Sequence, residues 1–158
     1  MFHRRLLLFF AALAVVMITL RPVGSAGQST CAVTEPPTPP FTPPLPVVAV
    51  PPQPGWFWYG INALWTRLRD DGKAVSHDES FWWHPGFDGR HEPRPKLQIM
   101  ATELQTRTRV LTPRATNAFA DDLGGWAMLT MLNFPVPGCW FVTATYQGTS
   151  VSYVVEAA

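Results

Sequence analysis

Between Ser76 and Glu92 the chain reads SHDESFWWHPGFDGRHE, which sets His77, His84 and His91 among Asp78, Glu79, Asp88 and Glu92. Imidazole and carboxylate groups are ordinary zinc ligands, so the stretch is a candidate metal site. Its spacing argues otherwise. Histidines seven residues apart share a face only on a helix, and Pro85-Gly86 breaks any helix between them. No HxxxH, HExxH or CxxC spacing accompanies them, so a solvated loop without a metal is the expectation. Ser76-His77-Asp78 holds the side-chain types of a nucleophilic triad, yet adjacent residues cannot converge on one another as a triad must. No nucleophile elbow is present. Asp70-Asp71 and Asp121-Asp122 are paired carboxylates of the kind used in acid–base hydrolysis, but they stand in turn contexts where aspartate caps and bends the chain. No glycine loop suited to phosphate occurs. No residue receives a catalytic role, no cofactor is expected, and the chain reads as a non-enzyme.

Aromatic residues carry the stronger signal. Trp56, Phe57, Trp58, Tyr59, Trp65, Phe81, Trp82, Trp83, Trp126 and Trp140 all fall after residue 54. Adjacent residues on a strand point to opposite faces, so each aromatic pair gives one ring to each face. Rings on an outer face can stack on sugars or anchor a protein partner. Trp58, Trp82, Trp83 and Phe141 are the candidate binding aromatics. The competing expectation is that the outward member of each pair is covered by a neighbouring loop or by the proline-rich segment described below.

The elements that would hold these rings are strands. No stretch after residue 54 keeps a 3.6-residue apolar period for three turns, whereas period-two segments recur. GWFWYG, ALWTRLR and SFWWH read as strands, and Asp71-Gly72 is a hairpin signal. KLQIMATEL alternates, with Leu97, Ile99 and Ala101 opposite Gln98, Met100 and Thr102, and TRTRVL is a further short strand. GWAMLTMLNF predicts a strand buried in part on both faces. GCWFVTATY sets Trp140, Val142, Ala144 and Tyr146 on one face, and GTSVSYVVEA does the same for Val151, Tyr153 and Val155, with Gln147-Gly148 turning between them. Seven or so strands without helices predict a β-sandwich over residues 55–158.

Two segments precede it. His3, Arg4 and Arg5 lead into the apolar run Leu6–Leu20, ended by Arg21-Pro22 and small residues, with Gly24 and Ala26 suited to the −3 and −1 positions. That layout predicts a signal peptide over 1–26, cut between Ala26 and Gly27. Its run of 15 residues is short for a spanning helix, which needs about 20, so membrane contact is expected only through the leader during export. Residues 27–54 form a proline-rich arm, with ten prolines between Pro36 and Pro54. Each fixes φ and lacks an amide donor, so polyproline II and a spacer role follow. Phe41, Leu45, Val47, Val48 and Val50 suit an arm laid partly along the domain.

Without residues 1–26 the chain holds 12 − 3 = 9 basic residues against 11 acidic ones, a net charge of −2. Neither nucleic acid nor anionic lipid is the expected partner of such a balance.

The closing PGCWFVTATYQGTSVSYVV resembles the last two strands of bacterial immunoglobulin-like domains, where a Gly-x-aromatic-x-Val-Thr-Ala strand and the next hairpin strand complete the sandwich. More widely, CAVTEPPTPP, WYGINALWTRL, FWWHPGFDG, EPRPKL, RATNAF, GGWAML and FPVPGCW resemble a group of uncharacterised exported bacterial proteins. That resemblance implies export and an immunoglobulin-like architecture, and carries no catalytic residue. Phe141 departs from it, standing where a polar residue is usual.

Two cysteines in an exported chain usually pair. A Cys31–Cys139 bridge would clip the arm to the start of the penultimate strand. The alternatives are an unpaired Cys31 with a buried free Cys139, or a lipidated Cys31. The reading is an exported, periplasmic or extracellular immunoglobulin-like module with a binding, adhesion or structural role at the bacterial envelope, its partner an envelope protein or polysaccharide. The alternative is a carbohydrate-binding module using exposed tryptophans.

Overall fold

Alternation is strictest at the end of the chain, and there the fold is simplest to derive. In the computed structural model, which describes residues 31–44, 52–120 and 125–158, Gly138–Tyr146 (β9) and Thr149–Ala157 (β10) form an antiparallel hairpin around Gln147-Gly148. Gln147 and Gly148 both take positive φ, 48° and 78°, as a two-residue turn with the twist of its strands requires. Trp140, Val142, Ala144 and Tyr146 lie side by side with Val151, Tyr153 and Val155 on the inner face of the hairpin, all buried.

The remaining strands are Trp56–Ile61 (β1), Leu64–Arg69 (β2), Lys73–Ala74 (β3), Asp78–Trp83 (β4), Gln98–Glu103 (β5), Arg109–Leu111 (β6), Thr116–Ala120 (β7) and Gly125–Leu132 (β8). They make two five-stranded sheets, ordered β1-β2-β4-β8-β7 and β3-β10-β9-β5-β6. No helix occurs among the described residues. The order is that of an immunoglobulin-like sandwich: β2, β4, β8 and β7 take the places of strands A, B, E and D, and β10, β9, β5 and β6 those of G, F, C and C′. β3 completes the likeness by crossing to the second sheet, where it pairs parallel with the end of β10. Leu64, Leu68, Trp82, Met128 and Leu132 of the first sheet meet Ile99, Ala101, Trp140 and Val142 of the second.

Asp71-Gly72 is a turn but not a hairpin. Asp71 accepts from the Lys73 amide at 3.0 Å and pairs with Arg69 at 2.8 Å, while the Gly72 carbonyl accepts from the Glu156 amide at 2.9 Å. The turn therefore carries the chain from one sheet to the other instead of folding it back. Gly72 has φ +66°, and a Cβ there would lie 2.4 Å from the Val33 side chain, so the arm crosses this point closely.

The arm is clipped on as its cysteines suggest. Cys31 and Cys139 form a disulfide with Cα atoms 5.5 Å apart. Thr34 then bonds the free edge of β10, its amide donating to the Val154 carbonyl at 2.9 Å and its hydroxyl accepting from the Val154 amide at 2.8 Å. Tyr59 donates to the Ser152 carbonyl at 2.8 Å on the same edge. These contacts cover part of an edge that would otherwise be open to strand pairing. Phe41 packs on the outer face of the first sheet. The leader, the cut at Ala26-Gly27, and Leu45, Val47, Val48 and Val50 lie outside the described residues.

The β5–β6 turn closes around the strand that carries the disulfide. Glu103 is buried; its carboxylate accepts from the Gln105 amide at 2.9 Å and from the Thr106 amide, and the Leu104 amide donates to the Cys139 carbonyl at 2.8 Å. The Thr106 amide, first among these, holds the Glu103 carboxyl below its ordinary 4.5. A folded value below the unfolded one stabilises the fold above pH 4.5 and ceases to do so as pH falls through the folded value. Glu103→Gln is therefore expected to lower the urea midpoint more at about pH 7 than at about pH 3. Urea titrations at both pH values check this, and an equal loss at both would contradict it.

Candidate functional site

The two outer faces of the sandwich differ in one respect, which is what covers them. Strand register lays out the first. Trp58 stands beside Arg67, Trp65 beside Trp83, and by alternation Arg67 beside Phe81. Trp58, Trp65, Trp83 and Ala127 form a second apolar cluster on this face, with Phe41 of the arm and Phe81 packed against it. Trp58 and Trp83 meet edge to face at 5.1 Å, and Phe81 stacks on Trp83 at 6.3 Å. Arg67 lies between the Trp56 and Phe81 rings, 4.9 and 5.2 Å from their centroids. The indole N–H groups of Trp65 and Trp83 are buried with no hydrogen-bond partner among the described residues.

This placement decides between the two expectations, in favour of outward rings covered by the arm and its neighbours. Trp58 and Trp83 do sit on an outer face, but the arm's Phe41 and the neighbouring rings bury them. Trp82 points inward and is fully buried, donating its indole N–H to Ser80 at 2.8 Å and stacking on Tyr153 at 6.1 Å. As placed, none of the three offers a ring to a sugar. The covering arm comes from residues distant in sequence, which alternation along the strands cannot reveal.

Phe141 has the opposite fate. It is 42% exposed on the outer face of the second sheet, opposite Thr102 and Val154. On this face Met100 stands opposite Leu111 and Thr143, so Met100 and the 78% exposed Leu111 share the face with Phe141. Thr143 shares a hydrogen bond with Ser152 at 2.9 Å, and Thr145 with Ser150 at 2.8 Å, so the neighbouring hydroxyls pair with one another. Among the described strand residues of this face Arg109, opposite Thr102, Glu156, opposite Cys139, and Lys73, opposite Glu156, carry charge.

The residues first read for chemistry are dispersed. Ser76 donates to Asn133 at 2.9 Å rather than to a histidine, and His77 has φ 69° in a tight turn. His91 bonds Asp88 at 2.7 Å in an exposed loop, which raises the His91 pKa and lowers that of Asp88. His84 packs edge-on against Tyr146 at 5.0 Å, where burial lowers its pKa. The Tyr146 hydroxyl donates to Glu92 at 2.5 Å, and burial first, then Glu92, pushes it up to about 12. That tyrosine stays protonated at neutral pH and ties the loop to β9. Asp71 is held down to about 2, chiefly by its hydrogen bond from Arg69, so it works as a turn clamp. Asp121 and Asp122 lie outside the described residues. Among the described residues no three His, Cys, Asp or Glu side chains are grouped to hold a metal ion, and no helix is long and apolar enough to cross a membrane.

No protein-family model matches the chain, and no solved structure matches it. Two curated proteins are similar to part of it. The "Putative outer membrane protein assembly factor" of Treponema pallidum (strain Nichols) is 29% identical over 97 residues, which is 60% of this chain and 10% of that protein. The "Sensor histidine kinase component HK2" of Mycobacterium tuberculosis (strain H37Rv) is 31% identical over 100 residues, 61% of this chain and 60% of that one. The chain thus spans about a tenth and about three-fifths of these relatives' lengths.

Proposed function

We propose that the chain is an exported, non-catalytic immunoglobulin-like module that binds another protein of the bacterial envelope through the outer face of its second sheet. One observation carries the reading: among the described residues the arm's Phe41 packs on the tryptophan cluster of one outer face, whereas Phe141, Met100 and Leu111 stay exposed on the other. Aromatic and methionine side chains with few charges are the composition of interface centres, and paired hydroxyls make a suitable rim. Export is supported by the leader-like N-terminus, by a disulfide that an oxidising compartment would preserve, and by partial similarity to a protein named for outer-membrane assembly. A polysaccharide partner is the weaker reading, because Trp58, Trp82 and Trp83 are buried.

The test is a photo-crosslinking residue placed at position 141 in the producing cells, with Met131, exposed on the opposite sheet, as control. A discrete protein adduct from position 141, absent from 131 and abolished by Leu111→Asp, is expected. A diffuse adduct that collapses on glycan digestion would replace the protein partner with a polysaccharide. No adduct from 141, or equal adducts from both positions, would sink the reading.

A further inference from the structure

Beside the open face lies a hollow of about 380 Å³, lined among the described residues by Arg94, Pro95, Lys96, Leu97, Gln98 and Arg114. From this geometry we infer a binding site for a phosphate group. Three of the nine cations that remain without residues 1–26 line it, no carboxylate does, and that part of the chain is net acidic. None of the three has an ion-pair partner among the described residues, where Arg69 and His91 each pair with an aspartate. A hollow of this size falls in the range of small-ligand sites, about 300–1,000 Å³. Guanidinium forks match phosphate oxygens two at a time, and the Lys96 ammonium adds a movable third donor.

The backbone presents these groups in advance. From Arg94 to Ile99 exposed and buried residues alternate, so Pro95, Leu97 and Ile99 anchor the segment inward while Arg94, Lys96 and Gln98 point outward. Pro93 and Pro95 stiffen it, and the Pro93 carbonyl accepts from the Asn117 amide at 3.1 Å. On the facing loop, Arg114 stands between Pro113, whose carbonyl accepts from the Thr130 hydroxyl at 3.1 Å, and the buried Ala115. Two separately fixed loops therefore hold like charges around one concavity, an arrangement that favours an anion able to bridge them.

Inorganic phosphate titrated into the oxidised protein, followed by amide NMR, tests the site against chloride at equal ionic strength. Saturable shifts at Arg94, Lys96, Leu97, Gln98 and Arg114 are expected with phosphate and not with chloride. Arg94→Gln and Arg114→Gln change exposed side chains and are each expected to weaken binding about tenfold, the loss of one charge-assisted contact. Non-saturating shifts shared with chloride, or saturable binding that neither variant weakens, would overturn the inference. Cosedimentation with phosphatidylglycerol-containing vesicles, competed by inorganic phosphate, would assign the group to a lipid headgroup. Phosphate binding without cosedimentation would assign it to a soluble phosphate compound.

Discussion

Replacing Cys31 and Cys139 together with serine is expected to lower the unfolding free energy by about 5 kcal/mol, the loop-closure value for a bridge across this separation. The separation is 108 residues, nearly the whole of the described fold, so the unfolded chain loses much freedom when the ring is closed. A domain of this size has about 5–15 kcal/mol in total, so the variant should sit near its folding threshold at body temperature. In heating scans the midpoint should fall by roughly 20 °C or more, at about 4–8 °C per kcal/mol for a domain of about 100 residues. A local effect accompanies the global one. Thr34 and Val33 lie only a few residues beyond the bridge, and their contacts with Val154 and Gly72 depend on the arm staying in place. Limited proteolysis should therefore cut the arm of the serine variant before the sandwich unfolds, and leave the oxidised arm whole. A midpoint shift of only a few degrees with an intact arm would mean that strap contacts alone hold it and that the disulfide adds little.

Much of this architecture could be read from local pattern, and the failures share one cause. The closing hairpin was legible because every second residue from Trp140 to Tyr146 and from Val151 to Val155 is apolar and every intervening one faces outward. The disulfide was legible from compartment and count. The parallel pairing of β3 was not, because Lys73 and Ala74 meet Glu156 and Ala157 from the other end of the chain. β7, with Asn117 and two alanines, lacks strand propensity and is ordered by pairing with β8 along its length. The tryptophans show the limit most clearly. Alternation correctly sends Trp82 to one face and Trp83 to the other, but which face water reaches depends on Phe41, forty residues away. The phosphate hollow was half legible. EPRPKL alternates in plain sight, but Arg114 joins it only through the fold.

Those two adjacent tryptophans give the second large effect and a control for it. Trp82→Ala is expected to destabilise by about 3–5 kcal/mol, the range for truncating a buried tryptophan. Trp82 has no exposed surface, stacks on Tyr153 between the sheets, and donates to Ser80, whose hydroxyl also bonds Tyr153. Its removal opens a cavity and breaks one arm of a buried polar triangle. Even Trp82→Phe should cost about 1 kcal/mol or more, because the Ser80 hydroxyl loses its indole donor. Trp83→Phe should behave differently. The Trp83 indole N–H is buried without a partner among the described residues, and an orphaned donor costs about 1–3 kcal/mol in a native protein. Removing that donor offsets the lost ring volume, so Trp83→Phe is expected to be close to neutral. Urea unfolding of the two phenylalanine variants at equal protein concentration decides the matter. A loss at Trp83 as large as at Trp82 would show that the N–H of Trp83 is satisfied in solution, by water or by a residue outside the described ones.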